Sequence, residues 1–147
     1  SDAEQRASHW AGYVEGCTHG SIRACLSHWR VARIALVSHD ADRARSAVMD
    51  PDGPCFAHLA QALGPAASPG DLAALAARVV LHGPPDDVAA ALAGLRDQVG
   101  RFGTLLLADL AWPDRDLARQ SLTLMAQHVC PALESEARPS QMRQEFA

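Results

Sequence analysis

The chain reads as α/β with parallel strands, and three observations carry that reading. From Arg78 to Leu133 an apolar run, a helical pattern, a second apolar run and a longer helical pattern alternate, as they do where helical crossovers join parallel strands. The runs Val31–Val37, Val79–Leu81 and Leu105–Leu107 are apolar on both faces, which suits strands buried on both sides. Turn-forming Gly, Pro and Asp residues separate most of the segments.

The elements follow in order. Asp2 to about Cys17 has a helical pattern, with Trp10, Tyr13, Val14 and Cys17 on one face, and Gly20 is available as a left-handed stop. Arg30–Val37 is the clearest strand, rich in β-branched residues. Asp40 suits the cap of a helix running to about Met49. Asp50 to Pro54 is turn chemistry, Cys55–Leu63 a short helix, and Gly64–Gly70 a loop. Asp71–Ala77 is helical and leads into the strand Val79–Leu81. Pro85 fits the first turn of the next helix, whose apolar face is Val88, Leu92, Leu95 and Val99. The strand Phe102–Leu107 follows, then a helix from Asp114 to Leu133 with Leu117, Leu124, Met125 and Val129 on its inner face. Residues 1–133 are expected to form one partial barrel domain, and 134–147 an exposed or partner-clasping tail.

Composition narrows the classes. A chain of 147 residues with 48% hydrophobic content can build a core. A net charge of −4 argues against general nucleic-acid or anionic-membrane binding. All thirteen basic residues are arginine, a bias expected of a GC-rich genome, which leaves no Schiff-base lysine. The four cysteines form no C-x-x-C pair and show no zinc-ribbon spacing, so no metal site is assigned. They are expected to be buried reduced thiols in a cytoplasmic protein. No apolar run reaches the ~18 residues of a membrane span. The chain opens on Ser1 rather than Met, as a processed or broken longer polypeptide would.

Several motifs together resemble one family. His82-Gly83-Pro84-Pro85 with Val88, then Gly100-Arg101-Phe102-Gly103-Thr104-Leu105-Leu106, then Trp112, then Val129 and Pro131-Ala132-Leu133 resemble the C-terminal end of the luciferase-like flavin-dependent monooxygenases, in their limonene-monooxygenase-like branch. His9 to Cys17, Trp29 to Arg33 and Asp50 to Pro54 resemble upstream elements in the same order. The resemblance implies the C-terminal portion of a (β/α)₈ TIM barrel, about three parallel strands with their helices. It also implies a reduced flavin, FMN or a deazaflavin, and oxygen insertion into a small-molecule substrate. Most flavin contacts and the usual catalytic histidine lie in the family's first half, so no catalytic residue is assigned here.

Barrel sites lie at the C-terminal ends of strands. The resemblance places His82, Asp109 and Trp112 near the cofactor, and Phe56 and His58 beside the substrate pocket. From the residues alone, His82 also suits a satisfied turn position, and Trp112 a core or interface anchor. Ala111 stands where the family has aspartate. Ser38, His39 and Asp40 are neighbours in sequence, which suits a strand end and helix cap better than a hydrolytic triad. Arg33 suits a structural ion pair.

Two functions compete. In the first, the chain is the C-terminal portion of a monooxygenase, inactive alone and completed by an N-terminal half. In the second, it is a non-catalytic relative that serves as a binding or assembly module by homodimerising across its open sheet edges. A yellow protein favours the first, a colourless stable dimer the second. A small α+β enzyme or cyclase is a weaker third. Either partner, the missing half or a second copy, is expected to meet the strands and Trp112.

Overall fold

The computed structural model describes residues 2–99 and 102–135. The chain divides into two compact units, one made of 1–32 and 93–106 and the other of 33–92 and 107–147. In chain order the elements are α1 (Asp2–His19), β1 (Arg30–Val37), α2 (Ala41–Val48), α3 (Pro54–Leu63), α4 (Pro69–Val79), β2 (Val80–Gly83), α5 (Pro85–Val99), β3 (Thr104–Ala108) and α6 (Arg115–Leu124).

The three strands form one parallel sheet in the order β2-β1-β3. The register pairs Ile34 with Val80 and Val37 with Gly83. The Ser38 amide extends the ladder by donating to the Gly83 carbonyl at 2.9 Å. β1 is central, and its buried Val31, Ile34, Leu36 and Val37 fit the two-faced apolar pattern. β3 lies at the edge and departs from that pattern. Leu106 and Leu107 are 49% and 38% exposed.

In the first unit, α1 ends in a Schellman motif. The Ile22 amide donates to the Cys17 carbonyl and the Ser21 amide to the Thr18 carbonyl. The left-handed residue is Ser21, with φ 53°, and not Gly20, so the helix runs two residues beyond the expected stop. Trp10 and Tyr13 project from successive turns of α1 and pack with Trp29, with centroid separations of 5.2 to 5.6 Å. These offset and edge-on contacts are the ones that ring quadrupoles favour. Gly103 enters β3 against the Ser27 carbonyl so closely that any side chain there would collide with it.

In the second unit, Ile34, Leu36 and Val80 of the sheet pack with Val48, Phe56, Leu59, Leu72, Trp112 and Leu117. Local chemistry sets the helix starts. The Asp40 carboxylate accepts from the Arg43 amide at 2.9 Å, and that of Asp114 from the Leu117 amide at 3.0 Å. Ser68 and Asp71 form a capping box with Pro69 in the first turn. α4 therefore starts two residues before the expected Asp71 and extends to Val79, leaving β2 to begin at Val80. Leu117, Leu124, Met125 and Val129 all face inward as expected. The last helix is interrupted by a π turn at Met125–Val129, closed by the Cys130 amide donating to the Met125 carbonyl, and resumes to 135.

Of the four cysteines, only Cys55 is buried, where desolvation raises its thiol pKa. Cys17 and Cys25 are half-buried and Cys130 is exposed, which corrects the expectation of four buried thiols. No described helix is long and apolar enough to cross a membrane. Residues 134 and 135 continue the last helix, and the rest of the expected tail lies outside the described residues.

Candidate functional site

The strand ends gather several polar side chains. Ser38, which follows β1, is 1% exposed. Its hydroxyl accepts from the Asp40 amide at 3.1 Å and lies 3.3 Å from Oε1 of Gln120. The neighbouring Val37 amide donates to the Ser121 hydroxyl on α6, at 2.8 Å. Ser121 thereby satisfies a buried backbone donor, which is costly to leave unpaired. Ser38, His39 and Asp40 thus act as a strand end and a helix cap. His39 and Asp40 are exposed, while Ser38 is buried and turned toward α6.

Arg43 ties two caps together. Its amide donates to the Asp40 carboxylate, and its guanidinium reaches Oδ2 of Asp114, with Nε at 3.0 Å. The Leu117 amide first, and then Arg43, hold the Asp114 carboxyl below the usual carboxylate range. Both side chains are roughly two-fifths exposed, so solvent screens the pair and it adds little to stability. Its role is to fix where the β1–α2 and β3–α6 loops meet.

Asp109 and Trp112 are both carried by the β3–α6 loop. With Ala35, Ala108, Ser121 and Met125 they line a cavity of about 40 Å³. The Asp109 carboxylate accepts from the Ala111 amide at 3.2 Å, and Ala111 adopts φ 53°. Trp112 is 3% exposed and belongs to the core. It packs there as a core anchor, one of the two roles its sequence position suits. His82 lies on β2 opposite Leu36, half-buried, and does not line the cavity. Phe56 packs in the core, whereas His58, two positions along α3, is exposed. Ser121 and Arg43 were not singled out in the sequence. Neither belongs to a motif, and only the fold shows which backbone groups they satisfy.

The cavity has room for a water or two and no more. A tricyclic flavin does not fit it, and the expected site residues do not converge on any other described cavity. Neither cavity gathers the expected site residues at the size that a tricyclic flavin needs.

No family model matches the chain, and no curated protein matches it. Solved structures do. One is a type II Baeyer-Villiger monooxygenase, the oxygenating constituent of 3,6-diketocamphane monooxygenase from the CAM plasmid of Pseudomonas putida, in complex with FMN. It is 24% identical with a TM-score of 0.66, over 89% of this chain and 40% of that one. Another is the monooxygenase RslO1 from Streptomyces bottropensis, 22% identical with a TM-score of 0.64, over 89% of this chain and 39% of that one. The chain therefore has a partial monooxygenase-like fold that spans about two-fifths of the length of these enzymes.

Two predictions arise here. Burial first, and then the Arg45 guanidinium, lower the His82 pKa from its ordinary value. The native state thus disfavours the imidazolium, and between the lowered pKa and about 6.5 the unfolded chain binds more protons. Stability is kept above about pH 6.5 and falls as pH drops through that window. Urea unfolding midpoints of the wild type and His82→Leu, compared across that range, should show a smaller drop in the variant.

Ala111 holds a left-handed backbone that costs an L-residue roughly 1–2 kcal/mol and that Asn and Asp tolerate better. It is exposed, so a larger side chain has room. Ala111→Asn should raise stability by up to about 1 kcal/mol in denaturant unfolding.

Proposed function

We propose that this chain is the C-terminal portion of a flavin-dependent monooxygenase barrel, completed by an N-terminal half that carries most of the flavin site. The observation that carries this reading is the match to two monooxygenases over about two-fifths of their length, joined to an edge strand whose leucines lie exposed. Reduced FMN is the cofactor proposed for the completed barrel, and it supplies the oxygen-activating chemistry. His82, Asp109 and Trp112 then shape the wall at the strand ends rather than perform a chemical step. Trp112 does so from beneath, by holding the β3–α6 loop in place.

The test is reconstitution. The purified chain is mixed with an N-terminal half of such an enzyme, and FMN binding is followed by flavin fluorescence quenching. The expected result is no binding by the chain alone and binding by the mixture, with reduced-flavin-dependent oxygenation in the mixture only. FMN binding and turnover by the chain alone, or neither in any mixture, would overturn the reading. A colourless dimer that ignores the N-terminal half would favour the assembly-module alternative.

A further inference from the structure

His39 and His128 are far apart in sequence, yet their rings lie 6.3 Å apart between centroids with an interplanar angle of 76°. His39 follows β1, immediately before the Asp40 cap of α2. His128 sits in the π turn of the last helix. A π turn inserts a residue into the helical register and so turns its side chains away from their α-helical directions, and such turns are frequent at functional sites. Both imidazoles are exposed, so neither is held as a packed core group.

We propose that His39 and His128 together bind one borderline divalent transition-metal ion, such as Zn²⁺ or Co²⁺, with water in its remaining positions. The spacing suits it. With a metal–nitrogen bond of about 2.0–2.1 Å, a bound imidazole has its ring centre about 3.2 Å from the metal. Two rings on one ion therefore lie about 5.2 Å apart at a tetrahedral angle and at most about 6.4 Å apart. The observed separation of 6.3 Å lies at the upper end of that range, so a tetrahedral ion draws the rings together by about 1 Å through rotamer changes that exposed side chains can make. Imidazole nitrogen is a preferred donor for these metals. No group of three or more His, Cys, Asp or Glu residues suited to a metal occurs among the described residues, so the protein supplies two ligands and coordination positions stay open. A bound ion would clamp the end of β1 to the last helix at the C-terminal ends of the strands. This inference does not depend on the flavin reading.

The test uses the full chain with Zn²⁺ in calorimetry and Co²⁺ in absorption spectroscopy. The expected result is one ion per chain, with affinity lowered about ten-fold or more in His39→Ala and again in His128→Ala. Because both residues are exposed, circular dichroism of the variants should match the wild type. The Co²⁺ spectrum should lack a thiolate charge-transfer band, which separates this site from binding at Cys17, Cys25 or Cys130. No binding by the wild type at millimolar metal overturns the proposal. So does binding that both variants retain, or a thiolate band.

Discussion

In analytical ultracentrifugation at low micromolar concentration, the purified chain is expected to sediment as a complex of copies, and as a one-to-one assembly once an N-terminal half is added. β3 is the reason. It is an edge strand of sequence Thr-Leu-Leu-Leu-Ala, with Leu106 49% and Leu107 38% exposed. An unprotected edge presents unpaired backbone groups, and β3 has none of the charges or prolines that usually blunt one. Each exposed leucine forgoes part of the about 1.5–3 kcal/mol that full burial offers. Set against a typical total stability of about 5–15 kcal/mol, that loss favours a covered edge. Leu106→Glu with Leu107→Glu should weaken self-association about ten-fold or more. A well-folded monomer that unfolds cooperatively, unchanged by the double substitution, would defeat the expectation.

The strand order bears on how such an assembly forms. In a closed (β/α)₈ barrel each strand lies between its neighbours in sequence, so β3 would follow β2 across the sheet. Here β3 lies on the opposite edge of β1. The edge of β1 that a preceding strand would occupy in a barrel is thus taken by the chain's own last strand. On the proposed reading, completion of the barrel requires β3 to give up β1 and pair with β2. The exposed face of β3, short in length and lightly packed, is consistent with a strand that can be exchanged.

The legible parts of this chain are those where local chemistry decides. β1 falls at Arg30–Val37 as its β-branched run implied, and Asp40 caps α2 through its own carboxylate. The inner face of the last helix follows from its 3.6-residue spacing. The readings that moved are those where two signals compete. The Ser68–Asp71 capping box starts α4 early and pushes β2 along the chain, whereas the Pro-Gly content of that stretch reads as loop. The π turn leaves no mark in the apolar pattern, since Met125 and Val129 stay buried through it. The site was least legible. Asp109 and Trp112 meet because one loop carries both, but His82 and Phe56 sit on other elements, and nothing in their spacing shows where they face. The strand order depends on which edges are covered, and that is a property of the whole assembly rather than of any segment.

Trp112→Ala is expected to destabilise the chain by about 3–5 kcal/mol, the largest single-residue effect in the molecule. Trp112 is 3% exposed and packs in the cluster that includes Ile34, Leu36 and Leu117. It also lines the cavity of about 40 Å³ that adjoins Ser121 and Met125. Removing the indole would merge the new void with that cavity, and void volume adds to the lost transfer energy. The backbone beside it can relax little, because the left-handed Ala111 and the Asp114 cap bracket the residue. Trp112→Phe keeps most of the contact area and should cost about half as much or less. The measurement is the urea midpoint of each variant at neutral pH, with the slope as a check on two-state unfolding. A cost below about 1 kcal/mol for alanine would show that Trp112 does not anchor this core.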